Sequence, residues 1–248
     1  MIDFSILLTN NNRSKAYLQN LLSNKLFPSK VIVLNSQKIS LPENTENDKL
    51  ITENTTQSLI KKSEKLNIQF DEKEHVLSTI NRNNLDYIVL NTIDVNSSKV
   101  IKEVNNLKSK YIIYSGPGGT LLREEILKTG KQFIHVHPGW LPDYRGSTTM
   151  YYSLLSESYI GASVIILNNE IDAGPILYKK KYHSIDKNID FDYTLDPLIR
   201  AKTLIDFFKT NKLIKHAQTN SNKANTFFII HPFLKHLSIL SFNKKYKQ

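Results

Sequence analysis

No cysteine occurs anywhere in the 248 residues, which removes a disulfide framework and a thiolate nucleophile together. No stretch approaches about 18 consecutive apolar residues, so no transmembrane helix is expected. The opening Met1-Ile2-Asp3-Phe4-Ser5-Ile6-Leu7-Leu8 lacks a basic stretch and a small-residue cleavage site. It reads as a first strand and not as a signal peptide, and a cytoplasmic location follows as the expectation. Neither a Gly-x-Gly-x-x-Gly fingerprint nor a Walker loop is present, which argues against NAD binding and nucleotide hydrolysis. Acidic residues stop at Asp206, after which Lys209, Lys212, Lys215, Lys223, Lys235, Lys244, Lys245 and Lys247 follow. The net charge of +10 fits attraction to phosphates, on a nucleotide-linked substrate, RNA or an anionic membrane surface. It fits equally a compositional bias, because Asn and Lys are abundant throughout. Arginine is scarce, and no arginine-rich or aromatic-interleaved stretch suggests base recognition, so a nucleic-acid partner is not expected.

What is present is an alternation of apolar runs and helical spacing. Phe4–Thr9 reads as a buried strand, Arg13–Ser23 as a helix carrying Tyr17, Leu18, Leu21 and Leu22 on one stripe, and Val31–Leu34 as a second strand. Residues 36–57 form a polar surface loop leading into an expected helix at Thr55–Leu66. Short strands follow at Ile68–Phe70, Tyr87–Leu90 and Tyr111–Tyr114, with helices at His75–Asn81, Ser98–Leu107 and Leu121–Lys128. Gln132–Val136, Ala162–Leu167 and Ile176–Tyr182 read as further strands, Asp196–Phe208 as a helix with Pro197 in its first turn, and Thr226–Leu234 as a strand. The fold class this predicts is α/β: a Rossmann-like, mostly parallel sheet flanked by helices. Residues 1–185 form the main domain and 186–248 a short α/β extension packed on it, with no internal repeat and no linker.

The densest chemistry lies in His135-Val136-His137-Pro138-Gly139-Trp140-Leu141-Pro142-Asp143-Tyr144-Arg145-Gly146 and in Ile171-Asp172-Ala173-Gly174-Pro175. One strand end offers imidazoles and another a carboxylate, the pairing that general acid–base chemistry needs. His135 and His137 point to the same face of their strand, and with Asp172 they could also form a metal site. His231 and His236 lie on an apolar segment without a partner pattern and read as packed or surface residues.

These residues resemble the 10-formyltetrahydrofolate-dependent formyltransferase family. Its pattern is Asn-x-His-Pro-Ser/Gly-x-x-Pro-x-Tyr-Arg-Gly followed by Asp-x-Gly-Pro, and Asp172 follows His137 by 35 positions. The match is specific over 131–178 and weaker from about 85 onward. The resemblance implies His137 as the central acid–base or oxyanion group, with Asp172 orienting its ring and favouring the imidazolium. It puts His135 where the family has asparagine; an imidazole N–H would donate to the oxyanion, an interaction worth roughly 3–4 kcal/mol in acyl transfer. Alternatively, a titrating and larger ring there signals a different acceptor. Two adjacent imidazoliums repel, so at most one is expected to be charged.

The resemblance further implies 10-formyltetrahydrofolate as formyl donor, held by Gly116, Pro117, Gly118, Gly119, Thr120 and Leu121 on one side and by Asn169, Glu170 and Ile171 on the other. No metal is expected. Trp140, Tyr144, Arg145 and Ser147 become candidates for binding the acceptor amine, although loop anchoring for Trp140 and Arg145 and helix capping for Ser147 fit as well. Residues 10–13 lack the glycine-rich phosphate loop of glycinamide ribonucleotide enzymes, and the chain is short for a methionyl-tRNA enzyme with its separate β-barrel. The expected acceptor is therefore an amino sugar of a nucleotide-linked sugar for surface polysaccharide. Methionyl-tRNA formylation and a non-catalytic binding protein stand as alternatives, and a homodimer stays open.

Overall fold

The computed structural model describes residues 2–36, 59–210 and 225–245. Strand β1 (Phe4–Thr9) leads into helix α1 (Asn12–Ser23), which Asn11 caps by accepting from Ser14 N at 2.9 Å, and then β2 (Val31–Asn35). A hairpin of β3 (Ile60–Ser63) and β4 (Ile68–Asp71) precedes α2 (Val76–Arg82), β5 (Tyr87–Asn91), α3 (Ser98–Asn106), β6 (Tyr111–Ser115) and α4 (Glu124–Leu127). Then come β7 (Gln132–His137), the short β8 (Arg145–Gly146), α5 (Thr149–Glu157), β9 (Ile160–Ile166) and β10 (Ile176–Tyr182). A π-helical turn, Phe191–Leu195, runs into α6 (Asp196–Lys209); β11 (Thr226–Phe227) and α7 (Pro232–Lys245) complete the described chain.

The main sheet has seven strands in the order β10-β9-β7-β6-β1-β2-β5. The run from β7 to β5 is parallel, whereas β9 is antiparallel to both β7 and β10. Alternation along each strand divides the core between the two faces. Phe4, Ile6, Leu8, Val31, Val33, Ile134 and Val136 join the cluster that contains α1 and α6 residues. Leu7, Ile32, Leu34, Ile112 and Phe133 join the cluster beneath α3 and α4. Being buried on both faces explains why these strands read as unbroken apolar runs. Leu198, Ile199, Leu204 and Phe207 of α6 lie in the first of these clusters, so part of segment 186–248 shares the core of the main sheet.

Three expectations are corrected. The helix foreseen at Thr55–Leu66 is, where described, strand β3 and the turn after it. Asn67 adopts φ +49° between Leu66 and Ile68, which folds β4 back on β3, and Asn20 of α1 donates to Gln69 O at 2.9 Å. The strand foreseen at Thr226–Leu234 is confined to Thr226–Phe227. Pro232 suits a first helical turn, and His231 Nδ1 accepts from Phe233 N at 3.2 Å, so α7 begins there. The helix foreseen at Leu121–Lys128 shrinks to Glu124–Leu127, because Asn96 holds the preceding segment, donating to Leu121 O at 2.9 Å and accepting from Arg123 N at 2.8 Å. The polar stretch 37–58 lies outside the described residues. His231 and His236 are both exposed.

Candidate active site

The carboxyl end of β7 and the loop joining β9 to β10 meet at a cavity of about 440 Å³. Strand β7 supplies His135 and His137, and the loop supplies Asp172. Asp172 Oδ2 lies 3.3 Å from His137 Nδ1, and the side chains are 14% and 3% exposed respectively. Asp172 has φ +47°, a left-handed conformation that an aspartate tolerates better than most residues. The tight return is completed by Gly174, where an added Cβ would overlap Ile166 O.

The protonation pattern of His137 follows from its neighbours. Nε2 is 2.8 Å from Tyr144 O, a pure acceptor, so Nε2 carries the hydrogen. Thr149 Oγ1, 3.3 Å from the same nitrogen, sends its own proton to Pro138 O at 2.8 Å and agrees with that assignment. Nδ1 is left facing the Asp172 carboxylate at the cavity wall. Gly139 makes this possible: an added Cβ would collide with His137 Nε2, Tyr144 O and Thr149 Oγ1 together. The loop is secured from β9 by buried Ser163, which donates to Gly139 O at 2.7 Å and accepts from Leu141 N at 3.1 Å.

His135 is electrically different. Burial first, then the charges of Arg200 and Arg13 and the His137 ring, hold it well below the ordinary 6.5, so it is neutral at pH 7. Its Nδ1 is 3.4 Å from Tyr114 O, and its Nε2 is 3.5 Å from Arg200 Nη1. A carbonyl only accepts and a guanidinium only donates, so Nδ1 carries the hydrogen and Nε2 the lone pair. Unlike the donor anticipated from the sequence, this ring turns its N–H to a backbone carbonyl. A stability effect follows with a definite sign. A depressed histidine pKa contributes stability that is present above the unfolded value of 6.5 and lost as pH falls below it. Thermal midpoints of the wild type should therefore drop on acidification through pH 6 more than those of His135→Asn. Parallel curves would count against a buried neutral ring.

Two arginines stand at the same wall. Arg13, in the first turn of α1, donates from Nε to Ser115 Oγ at 3.1 Å and from Nη2 to Gly116 O. Arg200, on α6, donates from Nε to both Asp196 oxygens at 2.9 and 3.0 Å and from Nη1 to Val136 O at 2.7 Å. Burial, followed by the Arg200 charge, pushes Arg13 down from its ordinary value.

Of the residues singled out in the sequence, His135, His137, Asp172, Pro117, Gly118, Gly119, Thr120, Leu121, Glu170, Ile171 and Ser147 line the cavity. Gly116 and Asn169 lie next to lining residues without lining it themselves. Trp140 faces away, its ring covered by Lys179 and Lys181 at 4.0 and 4.7 Å. Tyr144 also points elsewhere, its hydroxyl bonded to Ser156 and Glu157 at 2.6 and 2.7 Å, while its carbonyl holds His137. Arg145 ties the facing loop down, donating to Ile171 O and lying 3.6 Å from Glu170. Arg13, Tyr114 and Arg200 line the cavity without having been anticipated. The available signal was arginine itself: the chain has only five, and lysine is its default cation. Among the described residues no group of histidines and carboxylates is arranged to hold a metal ion, and no helix is long and apolar enough to cross a membrane.

Residues 9–195 match the family model described as formyl transferase. Among curated proteins, the methionyl-tRNA formyltransferase of Finegoldia magna is 26% identical over 168 residues, 63% of this chain and 51% of the relative. That of a Drosophila simulans Wolbachia is 34% identical over 106 residues, 42% of this chain and 35% of the relative. The chain thus spans about half the length, or less, of these relatives. Solved structures align over nearly its whole length. A sugar N-formyltransferase from Shewanella sp. covers 98% of this chain and 88% of its own, with TM-score 0.53 and 17% identity. An N-formyltransferase from Helicobacter canadensis, in complex with folinic acid and dTDP-3-aminofucose, covers 99% and 82%, with TM-score 0.52 and 18% identity. Phosphoribosylglycinamide formyltransferase from Anaplasma phagocytophilum covers 92% and 99%, with TM-score 0.56 and 11% identity. At these identities the likeness is one of fold.

Proposed function

This chain belongs to the formyl transferase family, and on that premise we propose that it is an N-formyltransferase moving a formyl group from 10-formyltetrahydrofolate to an amine. The observation that carries the reading is the 3.3 Å approach of His137 Nδ1 and Asp172 Oδ2, from two different strand ends, at the wall of one cavity. The cavity's composition fits a flat, polar-edged heterocycle. Leu121 and Ile171 line it, yet are 49% and 44% exposed. Gly118-Gly119 and Glu170-Ile171 also line it. Those two segments would hold the folate, whose chemical contribution is the activated formyl group.

The protein's part is proton management. As an amine attacks the formyl carbon and the bond from that carbon to the folate nitrogen breaks, one proton must leave the amine and one must reach the departing nitrogen. His137 Nδ1 receives and returns it, with its ring held by Tyr144 O at Nε2. Asp172 stabilises the ring while it is charged. His135 acts as a positioning group in this scheme, filling the wall between Tyr114 and Arg200 without taking up a proton. His135→Asn is accordingly expected to keep turnover within about tenfold of wild type, well short of the loss from removing a general acid–base. A loss of several hundredfold would make His135 a reacting group.

We favour an amino sugar of a nucleotide-linked sugar as acceptor, because the sugar N-formyltransferase folds follow this chain over 98–99% of its length. Methionyl-tRNA is the second reading, supported by the curated relatives and by the acid-free, lysine-rich sequence after Asp206. Incubation with 10-formyltetrahydrofolate and, separately, a panel of amino-sugar nucleotides or charged initiator tRNA distinguishes them by the mass of the product. Formylation of neither would reject both acceptors.

A further inference from the structure

Helix α7 arranges its two faces in the opposite sense to an ordinary surface helix. Lys235, Ser238, Ile239 and Phe242 turn toward the protein. Ser238 donates to Tyr151 O at 3.1 Å, Lys235 pairs with Asp192, and the Phe242 ring meets Phe191 edge-on at 6.2 Å. Phe233, Leu234, Leu237 and Leu240 have the spacing of the other face, and all four are exposed. The segment before the helix extends this patch, for Phe228 and Ile229 are each 79% exposed. That segment is tied to α5: Ile230 N donates to Thr148 Oγ1 at 2.9 Å, and the Tyr152 hydroxyl donates to Phe228 O at 3.2 Å. The fold therefore holds both side chains outward. A continuous apolar stripe of this kind is unfavourable in water and stabilised against a second apolar medium.

Charge selects that medium. The part of the sequence that carries the patch has lysines and no aspartate or glutamate after Asp206, and Lys244 and Lys245 close α7 itself. Of the nearby carboxylates, Asp192 is engaged by Lys235 and Glu157 by the Tyr144 hydroxyl. A second copy of the chain would set two such lysine-rich, acid-free segments against each other, which like charges oppose. An anionic lipid surface complements both properties at once, because phenylalanine and leucine side chains enter the acyl boundary while lysines meet the headgroups. We propose that the face formed by Phe228, Ile229 and the outer side of α7 docks on an anionic phospholipid bilayer. The helix would lie in the plane of the surface, and the docking does not depend on which amine is formylated.

The test is sedimentation of the full chain with vesicles, either of phosphatidylcholine alone or with about 30% phosphatidylglycerol. Two double variants, Phe228→Ser with Ile229→Ser and Leu237→Gln with Leu240→Gln, change only exposed side chains, so thermal unfolding midpoints should stay at the wild-type value. The wild type should partition onto the anionic vesicles, about tenfold or more weakly onto phosphatidylcholine alone, and less as salt rises. Each double variant should bind the anionic vesicles about tenfold or more weakly than wild type. No binding to the anionic vesicles, equal binding to both vesicle types, or undiminished binding by folded variants would overturn the proposal. So would a dimer in light scattering that ignores vesicles and dissociates in the variants, since that result assigns the face to a second copy.

Discussion

Substituting alanine for His137 is expected to lower formyl-transfer turnover by about 10³-fold, within the 10²–10⁴ range for loss of a positioned acid–base group. Folinic acid binding should persist, because the segments proposed to hold the folate do not include this ring. The cause is local: Nε2 is committed to Tyr144 O, so the proposed mechanism routes the proton through Nδ1, with no other imidazole to replace it. His135 is held neutral with its nitrogens turned to Tyr114 O and Arg200. Removing the ring also leaves the Tyr144 carbonyl without its partner at 2.8 Å, which should cost about 1–3 kcal/mol of stability. Asp172→Asn separates the two effects. It keeps the shape at φ +47° and removes the charge, so turnover should fall about 10²-fold or more with little change in unfolding midpoint. Single-turnover rates and thermal unfolding measured side by side provide the check. Wild-type turnover in His137→Ala would end the proposed mechanism.

The second large effect is expected at a residue with no side chain. Gly139→Ala places a methyl group where His137 Nε2, Tyr144 O and Thr149 Oγ1 already converge. Neither backbone nor a ring buried to 2% exposure has room to retreat, so the loop must move. Overpacking of this kind costs about 1–3 kcal/mol. The rotated imidazole should lose turnover nearly as severely as in His137→Ala, since misplacement by about 1 Å can cost about 10²-fold. Unfolding curves and turnover together test this; a fully active, fully stable Gly139→Ala would show that the glycine is not what seats the ring. For the unfolding curve alone, a substitution at Gly118 makes a control, because an added Cβ there meets nothing within 4 Å.

The strands of the parallel sheet were legible because both of their faces are buried, which writes apolar runs such as Phe4–Thr9 and Tyr111–Tyr114 directly into the sequence. Only half of the hairpin β3–β4 was legible: Ile68–Phe70 reads as a strand, but Ile-Lys-Lys-Ser carries too little alternation to signal its partner, and the pairing depends on a left-handed asparagine and on α1. The start of α7 was missed for a different reason. Thr226–Leu234 is β-branched and aromatic, but Pro232 and the His231 cap decide the local outcome.

The site divides in the same way. The resemblance of two local motifs singled out His137 and Asp172, a histidine at a strand end and an aspartate before a Gly-Pro turn. Which of two imidazoles stays neutral is not local. Arg200 lies 65 positions from His135 and Arg13 lies 102 from Ser115, and only the packing of α1 and α6 over the sheet brings their charges to that ring. Tyr144, expected from the sequence to meet the acceptor with its side chain, instead serves the site through its carbonyl, a role that residue identity does not encode. The sequence by itself determined the strands of the parallel sheet and the candidate acid–base pair, because burial and turn chemistry act over a few residues. The tertiary structure alone decided protonation, cavity membership and the paired arginines, because electrostatic and steric terms depend on distance in space and not along the chain.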